Sequence, residues 1–379
     1  SPTGIQLFMI GTVGQGMADH FTVAKDVRDP DPDRRYKGWT QVFWPAENRP
    51  RKVSVYSPDG IHWTVGQPVL YPIRDESGMM IDDADPDPAR RLKVFGNSSD
   101  KVLGHVDMGY GPDVEHMQPS PSNPVFAPGL EHTIHLFSVL RYRNYYLALY
   151  DYNLWQDYDG LRGDVEVRKI DARVPEPKTG AFVGDVRLAV NRDGVGPFTR
   201  VNAHQPLVAR GERGAWDGGF LVMPGAVVKD EEIYIFYTGV DESGGALPNM
   251  SAVDHPVAIR AGLARLRPDG FTHLQARDGY GPARVTSVPI TLQGTPRLIL
   301  NAAHLMPYRD WIEVEVLDGA TDQPLDGFRR ADCRKPAQDG IRLPVTWQDK
   351  TTLAGASQIK LRFYLYGRAR LHSFTFEEI

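Results

Sequence analysis

The chain has 379 residues, enough for one large domain and a smaller one. Its net charge of −5, without a basic stripe, gives no footprint for a nucleic-acid partner, and no apolar run reaches the ~18 residues that span a membrane. Gly (37) and Pro (30) are abundant; beside a 41% hydrophobic fraction they mean a packed protein with many turns, and the one cysteine, Cys333, excludes a disulfide framework or a Cys-cluster zinc site.

In chain order, a first strand is expected at Ile5–Ile10. From Asp19 onward a repeat begins. Asp29-Pro30-Asp31-Pro32-Asp33-Arg34-Arg35-Tyr36-Lys37 returns 56 residues later as Asp85-Pro86-Asp87-Pro88-Ala89-Arg90-Arg91-Leu92-Lys93. A second tag, Tyr56-Ser57-Pro58-Asp59-Gly60-Ile61-His62-Trp63, returns as Tyr110-Gly111-Pro112-Asp113-Val114-Glu115-His116. Looser copies stand at Asn191-Arg192-Asp193-Gly194 and Arg267-Pro268-Asp269-Gly270. Asp-Gly between strand-like runs marks a tight turn, because glycine accepts a positive φ without strain.

Between the tags lie short runs rich in Val, Ile, Tyr and Phe, such as Val53–Tyr56, Tyr145–Tyr150 and Glu232–Thr238. A 3.6-residue period is not sustained, so no long helix is expected. Each repeat reads as strand, acidic turn, strand, strand, Asp-Gly turn, strand. Four strands recurring every 50–80 residues describe propeller blades. Four tags and the opening strand predict an all-β chain: a five-bladed β-propeller over residues 1–293. After that point the tags stop. Longer strands follow at Arg297–Asn301, Trp311–Leu317, Ile341–Trp347 and Gln358–Phe376, predicting a small antiparallel β-sandwich over residues 294–379.

In a propeller the innermost strands line a central funnel, so the residues that open them converge. Asp19-His20 opens the first repeat, Asp75-Glu76 the second at the same 56-residue offset, and Glu131-His132 the third. Trp216-Asp217 comes shortly before the fourth. Glu76, Asp82 and Asp83 compete with Asp75. The Asp-Pro tags are expected to be rim turns with Asp–Arg pairs, the Asp-Gly tags plain turns, and Cys333 inert.

This arrangement resembles the five-bladed propeller glycoside hydrolases of families 43 and 32. Ala18-Asp19-His20-Phe21-Thr22-Val23 is similar to the segment bearing the family 43 base, and Leu130-Glu131-His132 with Tyr145-Tyr146-Leu147 to the segment bearing the acid. Ser57-Pro58-Asp59-Gly60-Ile61-His62-Trp63 is similar to a tag of family 32-like bacterial proteins. The chain departs from the pattern where a Trp-Asn-Asp-Pro-type motif is absent and where His132, not Gly, follows Glu131. The resemblance implies cleavage of glycosidic bonds in an oligo- or polysaccharide, with furanosides leading.

It further implies Asp19 as base or nucleophile, Glu131 as general acid and Asp75 as modulator. His20, His132, Trp216 and Asp217 would contact sugar. No cofactor is expected. A divalent cation held by Asp19, His20, Glu131 and His132, or a structural calcium in the channel, is the metal alternative. A non-catalytic carbohydrate-binding propeller, a polysaccharide lyase and a glycoside phosphorylase are the rival readings. A secreted or periplasmic location is expected, with any signal peptide lying before Ser1.

Overall fold

The computed structural model describes residues 19–69, 73, 77–98, 105–127, 134, 136–157, 180–201, 205–212, 214–241, 259–277, 281–354 and 357–378. Among them every regular element is a strand or a single 3-10 turn, in several antiparallel sheets. Among the described residues the expectation of an all-β chain holds. The predicted opening strand at Ile5–Ile10 lies outside the described residues. Two compact units are present, one within residues 1–227 and 234–264 and the other within 228–233 and 265–379.

The first unit is built from consecutive meanders. β1 (Asp19–Lys25), β2 (Tyr36–Trp44), β3 (Arg49–Ser57) and β4 (Thr64–Pro68) pair in chain order. So do β5 (Ser77–Ile81), β6 (Leu92–Asn97), β7 (Val106–Gly111) and β8 (Gln118–Pro119), and again β9 (Phe137–Tyr142), β10 (Tyr145–Asp157), β11 (Gly180–Asn191) and β12 (Thr199–Val201). A fourth sheet pairs β13 (Phe220–Lys229), β14 (Glu232–Val240) and β15 (Ile259–Leu266).

The tags make the corners of these meanders. In the first two, the Asp-Pro tag joins the first strand to the second through a 3-10 turn, Pro32–Arg34 or Pro88–Arg90, whose first N–H groups are capped by Asp31 or Asp87. The Asp-Gly tag joins the third strand to the fourth. There Ser57 Oγ accepts from the Gly60 N–H at 2.8 Å, and Asp59 Oδ1 accepts from the N–H groups of Ile61 and His62 at 2.8 Å. Asp113 and Asp193 repeat the pattern with their own following backbone. Each Asp thus feeds a turn that would otherwise leave donors unpaired. The third meander lacks an acidic turn; its first corner is the hairpin Arg143-Asn144, with Arg143 at φ 54°.

Adjacent meanders share cores. Trp39 and Val94 pack with Val69 and Ile73 between the first and second, and the Trp39 indole donates to Ser77 Oγ at 3.0 Å. Between the second and third, Phe126 lies 5.0 Å from both Phe137 and Tyr150, and Phe198 lies 5.1 Å from Phe137. Aromatic groups at these separations supply both buried area and favourable ring geometry.

In the second unit, β16 (Ala283–Thr286), β17 (Ile290–Thr291), β18 (Arg297–Ala303), β19 (Ile312–Asp318), β20 (Cys333–Arg334), β21 (Gly340–Pro344), β22 (Thr346–Trp347), β23 (Gln358–Leu365) and β24 (Arg370–Glu377) form three antiparallel sheets. β16, β17 and β19 all pair with β23, while β18 lies between β21 and β24. Leu298 and Leu300 of β18, Val314 and Val316 of β19, and Leu361 and Phe363 of β23 meet in one core around Trp347. β23 buries every second residue, as its sequence alternation predicts. The longer segment of this unit, Arg265–Ile379, contains the whole of the span 294–379. β16 and β17, which precede residue 294, pair with β23.

Candidate functional site

The first strands of successive meanders are neighbours: β1 lies against β5 and β5 against β9. The approach is close. A Cβ at Gly78 of β5 would come within 2.5 Å of the Phe137 carbonyl oxygen and 3.0 Å of the Ser138 Cα on β9. Asp19 is the first residue of β1 and stands opposite Gln41 of β2, with a break in register between Asp19 and Thr22. Such irregularities re-aim side chains at strand ends. Asp75 precedes β5 by two positions and Glu131 precedes β9 by six. Asp75, Glu131 and His132 lie outside the described residues, as do the side chains of Asp19 and His20.

Of the competing acids, Glu76 lies outside the described residues, while Asp82 and Asp83 lie within them. Asp26 and Asp82 follow the last residues of β1 and β5, at the opposite strand ends from Asp19 and Asp75. Both are buried, at 2% exposure. Lys37 bridges Asp26 and Asp29, and fully buried Lys93 bridges Asp82 and Asp85. Tyr146 of β10 donates its hydroxyl to Asp82 at 2.5 Å. Arg91 of the second meander donates to Asp26 of the first and also pairs with Asp83 at 2.6 Å. Arg91 holds the Asp26 carboxyl well below the usual carboxylate range, with Lys37 assisting against the effect of burial. Burial and the Asp82 carboxylate push the Tyr146 hydroxyl up.

The lysine pairs lie within a meander, while Arg91–Asp26 and Tyr146–Asp82 tie one repeat to the next, and every one of these acids is already committed to a cation. Asp82 and Asp83 are thereby structural groups. The second Asp-Pro tag carries the expected Asp–Arg pairs, Arg90 with Asp85 and Asp87, and both tags carry a buried lysine that the rim picture omits.

Trp216 and Asp217 precede β13 and rest on β14. The Trp216 indole stacks on Tyr237 with ring centroids 6.1 Å apart and planes 11° from parallel, and Asp217 accepts from the Tyr237 hydroxyl at 3.2 Å. Gly239 makes room for them: a Cβ there would lie 2.7 Å from the Asp217 Cβ. Both side chains are half-buried in this wedge. Cys333 is buried and its sulfur accepts from the Val314 N–H at 3.3 Å; burial pushes its thiol up to about 11. The thiolate is therefore scarce at neutral pH, and the thiol is inert. Among the described residues no three His, Cys, Asp or Glu side chains cluster as a metal site, and no helix is long and apolar enough to cross a membrane. The cation set built on Asp19, His20, Glu131 and His132 lies outside the described side chains.

No family model and no curated protein matches the chain. Solved structures that resemble it include a glycosyl hydrolase from Bacteroides ovatus, at 13% identity over 66% of this chain and 67% of that one, with a TM-score of 0.43. A thermostable family-43 glycoside hydrolase gives 11% identity over 61% and 67%, with a TM-score of 0.37. A sucrose-6-phosphate hydrolase from Lactobacillus gasseri gives 10% identity over 88% and 76%, with a TM-score of 0.37. Values this low leave the functional reading to the chain's own residues.

Proposed function

We propose that the chain is a glycoside hydrolase whose meanders are the blades of a propeller and whose second unit is the appended β-sandwich. One observation carries the reading. Three successive four-stranded meanders set their first strands side by side, and each of those strands begins at or shortly after one of three acids. In this reading the acids are Asp19, Asp75 and Glu131, one per blade at the mouth of a funnel.

Glycoside hydrolysis needs two carboxyls in different protonation states on either side of the scissile bond. Glu131 would protonate the leaving oxygen while Asp19 attacks the anomeric carbon or activates water. Asp75, between them, would raise the proton affinity of Glu131 by like charge and orient it. A separation of about 5 Å between Asp19 and Glu131 would mean retention of configuration, and about 6.5–9.5 Å inversion. His20 and His132 would hydrogen-bond sugar hydroxyls, since imidazole both donates and accepts. Trp216 and Asp217 would border the substrate at the fourth blade. Furanosides, either arabinofuranosides or fructosides, are the substrate class put first.

The test is a panel of nitrophenyl glycosides and oligosaccharides offered to wild type and Glu131→Gln. Cleavage that Glu131→Gln lowers at least about 10²-fold, with leaving groups of low pKa less affected, supports the assignment. Cleavage that survives the change removes Glu131 as the acid. Binding of a sugar without any cleavage removes the hydrolase reading.

A further inference from the structure

The second unit carries a cluster of cationic side chains that the reading above does not use. Leu274 exchanges backbone hydrogen bonds with Leu371 of β24, at 2.9 and 3.0 Å. This bridge sets His273 beside His372 and Gln275 beside Arg370. The two imidazole centroids are 5.6 Å apart, and Arg370 Nε donates to Gln275 Oε1 at 3.2 Å. Arg370 stands opposite Ala303 of β18, and His304 follows at φ 56°. Arg267 reaches the same strand and donates from Nη1 to the Ala302 carbonyl at 3.1 Å.

These charges are not neutralised locally. Among the described residues Arg267 and Arg370 bond an amide and a carbonyl and form no ion pair, and Arg267 Nε is buried without a partner. The nearby acids are occupied or remote. Asp269 accepts from Ser373, and Asp339, which accepts from the Leu305 N–H at 2.7 Å, acts on Arg267 only through its field. Asn301, at 4% exposure, donates to the Pro268 carbonyl and leaves its Oδ1 buried and unpaired. His372 Nδ1 lies 3.0 Å from the Thr272 carbonyl, which fixes the proton there in the neutral ring and leaves Nε2 to take up a second one.

We propose that this face is an oxyanion-binding site, in which Arg267 and Arg370 supply fixed charge and His273 and His372 supply N–H donors to a phosphate, sulfate or carboxylate group. The electrostatics agree. Burial, then the surrounding cations, holds His372 down to about 4 and lowers His273 as well. A bound anion reverses the sign of that field, so both rings take up protons as it binds. The inference is independent of what the first unit does.

Calorimetry on the full chain at low salt, with sulfate as the probe, tests the site at pH 5.5 and 8, because sulfate keeps its charge across that range. Inorganic phosphate and glucuronate separate the two sources of oxyanion, and glucose is the neutral control. Saturable sulfate binding, tighter at pH 5.5 and weakened at least about tenfold in Arg370→Gln and His372→Asn, is expected. Absence of saturable binding by sulfate, phosphate and glucuronate, or affinity unchanged in both variants, overturns the proposal. Where a variant fails to fold, the wild-type histidine titration by NMR decides. Tenfold tighter binding to the protonated form raises the His372 pKa by about one unit at saturating sulfate, and an unmoved His372 overturns the site.

Discussion

Arg91 donates from both ends of its guanidinium to the two carboxylate oxygens of Asp26, at 2.6 and 2.5 Å, across the boundary between the first and second meanders. The same carboxylate receives Lys37 from its own meander at 2.8 Å. Asp26 is 2% exposed, so its charge is satisfied by these two cations and by the Arg28 N–H, which donates to it at 3.1 Å.

Asp26→Asn should therefore cost about 3 kcal/mol, the range for breaking a buried pair from one side. Arg91→Lys should not rescue its own loss, because an ammonium cannot make the two-point contact. Urea unfolding measures both. The pH dependence follows from the depressed Asp26 carboxyl. Its stabilisation is complete above the unfolded value near 3.8 and is lost as pH falls below it. Wild type should lose more stability than Asp26→Asn between pH 5 and pH 2.

Asp19 and Asp82 should separate activity from stability. On the proposed reading, Asp19→Asn lowers kcat by at least about 10²-fold and leaves the urea midpoint close to wild type. Asp82→Asn leaves Lys93 and Asp85 imperfectly matched in a buried site, so the midpoint falls while the folded fraction keeps its turnover. Equal loss of activity in both variants at equal stability would remove the distinction between the two strand ends.

Gly78→Ala should be destabilising, by about 1–3 kcal/mol, since its new methyl meets backbone of β9 at 2.5 Å. Gly225→Ala is the control. A Cβ there meets nothing within 4 Å, so the change should be neutral or slightly stabilising. Thermal melting of the two variants side by side reads the difference.

His372 gives a second acid-side pH effect, in a higher window than that of Asp26. Its folded value, about 4, lies below the ordinary 6.5. The unfolded chain therefore binds the proton more readily, and stability falls as pH drops from about 6.5 toward 4. His372→Asn should flatten that slope, which chemical denaturation at pH 7 and pH 4.5 would show.

Much of the first unit could be read from the chain because its corners are local. An Asp that feeds the N–H groups two and three residues on needs only its neighbours, so Asp59, Asp113 and Asp193 announced their turns. The repeated Arg-Arg-x-Lys was visible too, but its meaning was not. Arg91 and Asp26 are 65 positions apart, and no spacing rule predicts that one repeat clamps the previous one. Asp82 looked interchangeable with Asp75 for the same reason; only Lys93 and Tyr146, from other strands, commit it. β16 and β17 are short and untagged, and only their pairing with distant β23 shows which sheet they join. The cationic cluster unites positions from Arg267 to His372, and no local pattern marks it.

The burial of Cys333 has a practical side. A chain with one thiol, shielded from solvent and held in its protonated form, behaves toward maleimides as if it had none while it stays folded. Single cysteines placed at the mouths of β1, β5 and β9 would each be a unique attachment point for spin or fluorescent labels. Distances between those labels would then measure how far apart the three strand openings stand, without first removing any native residue.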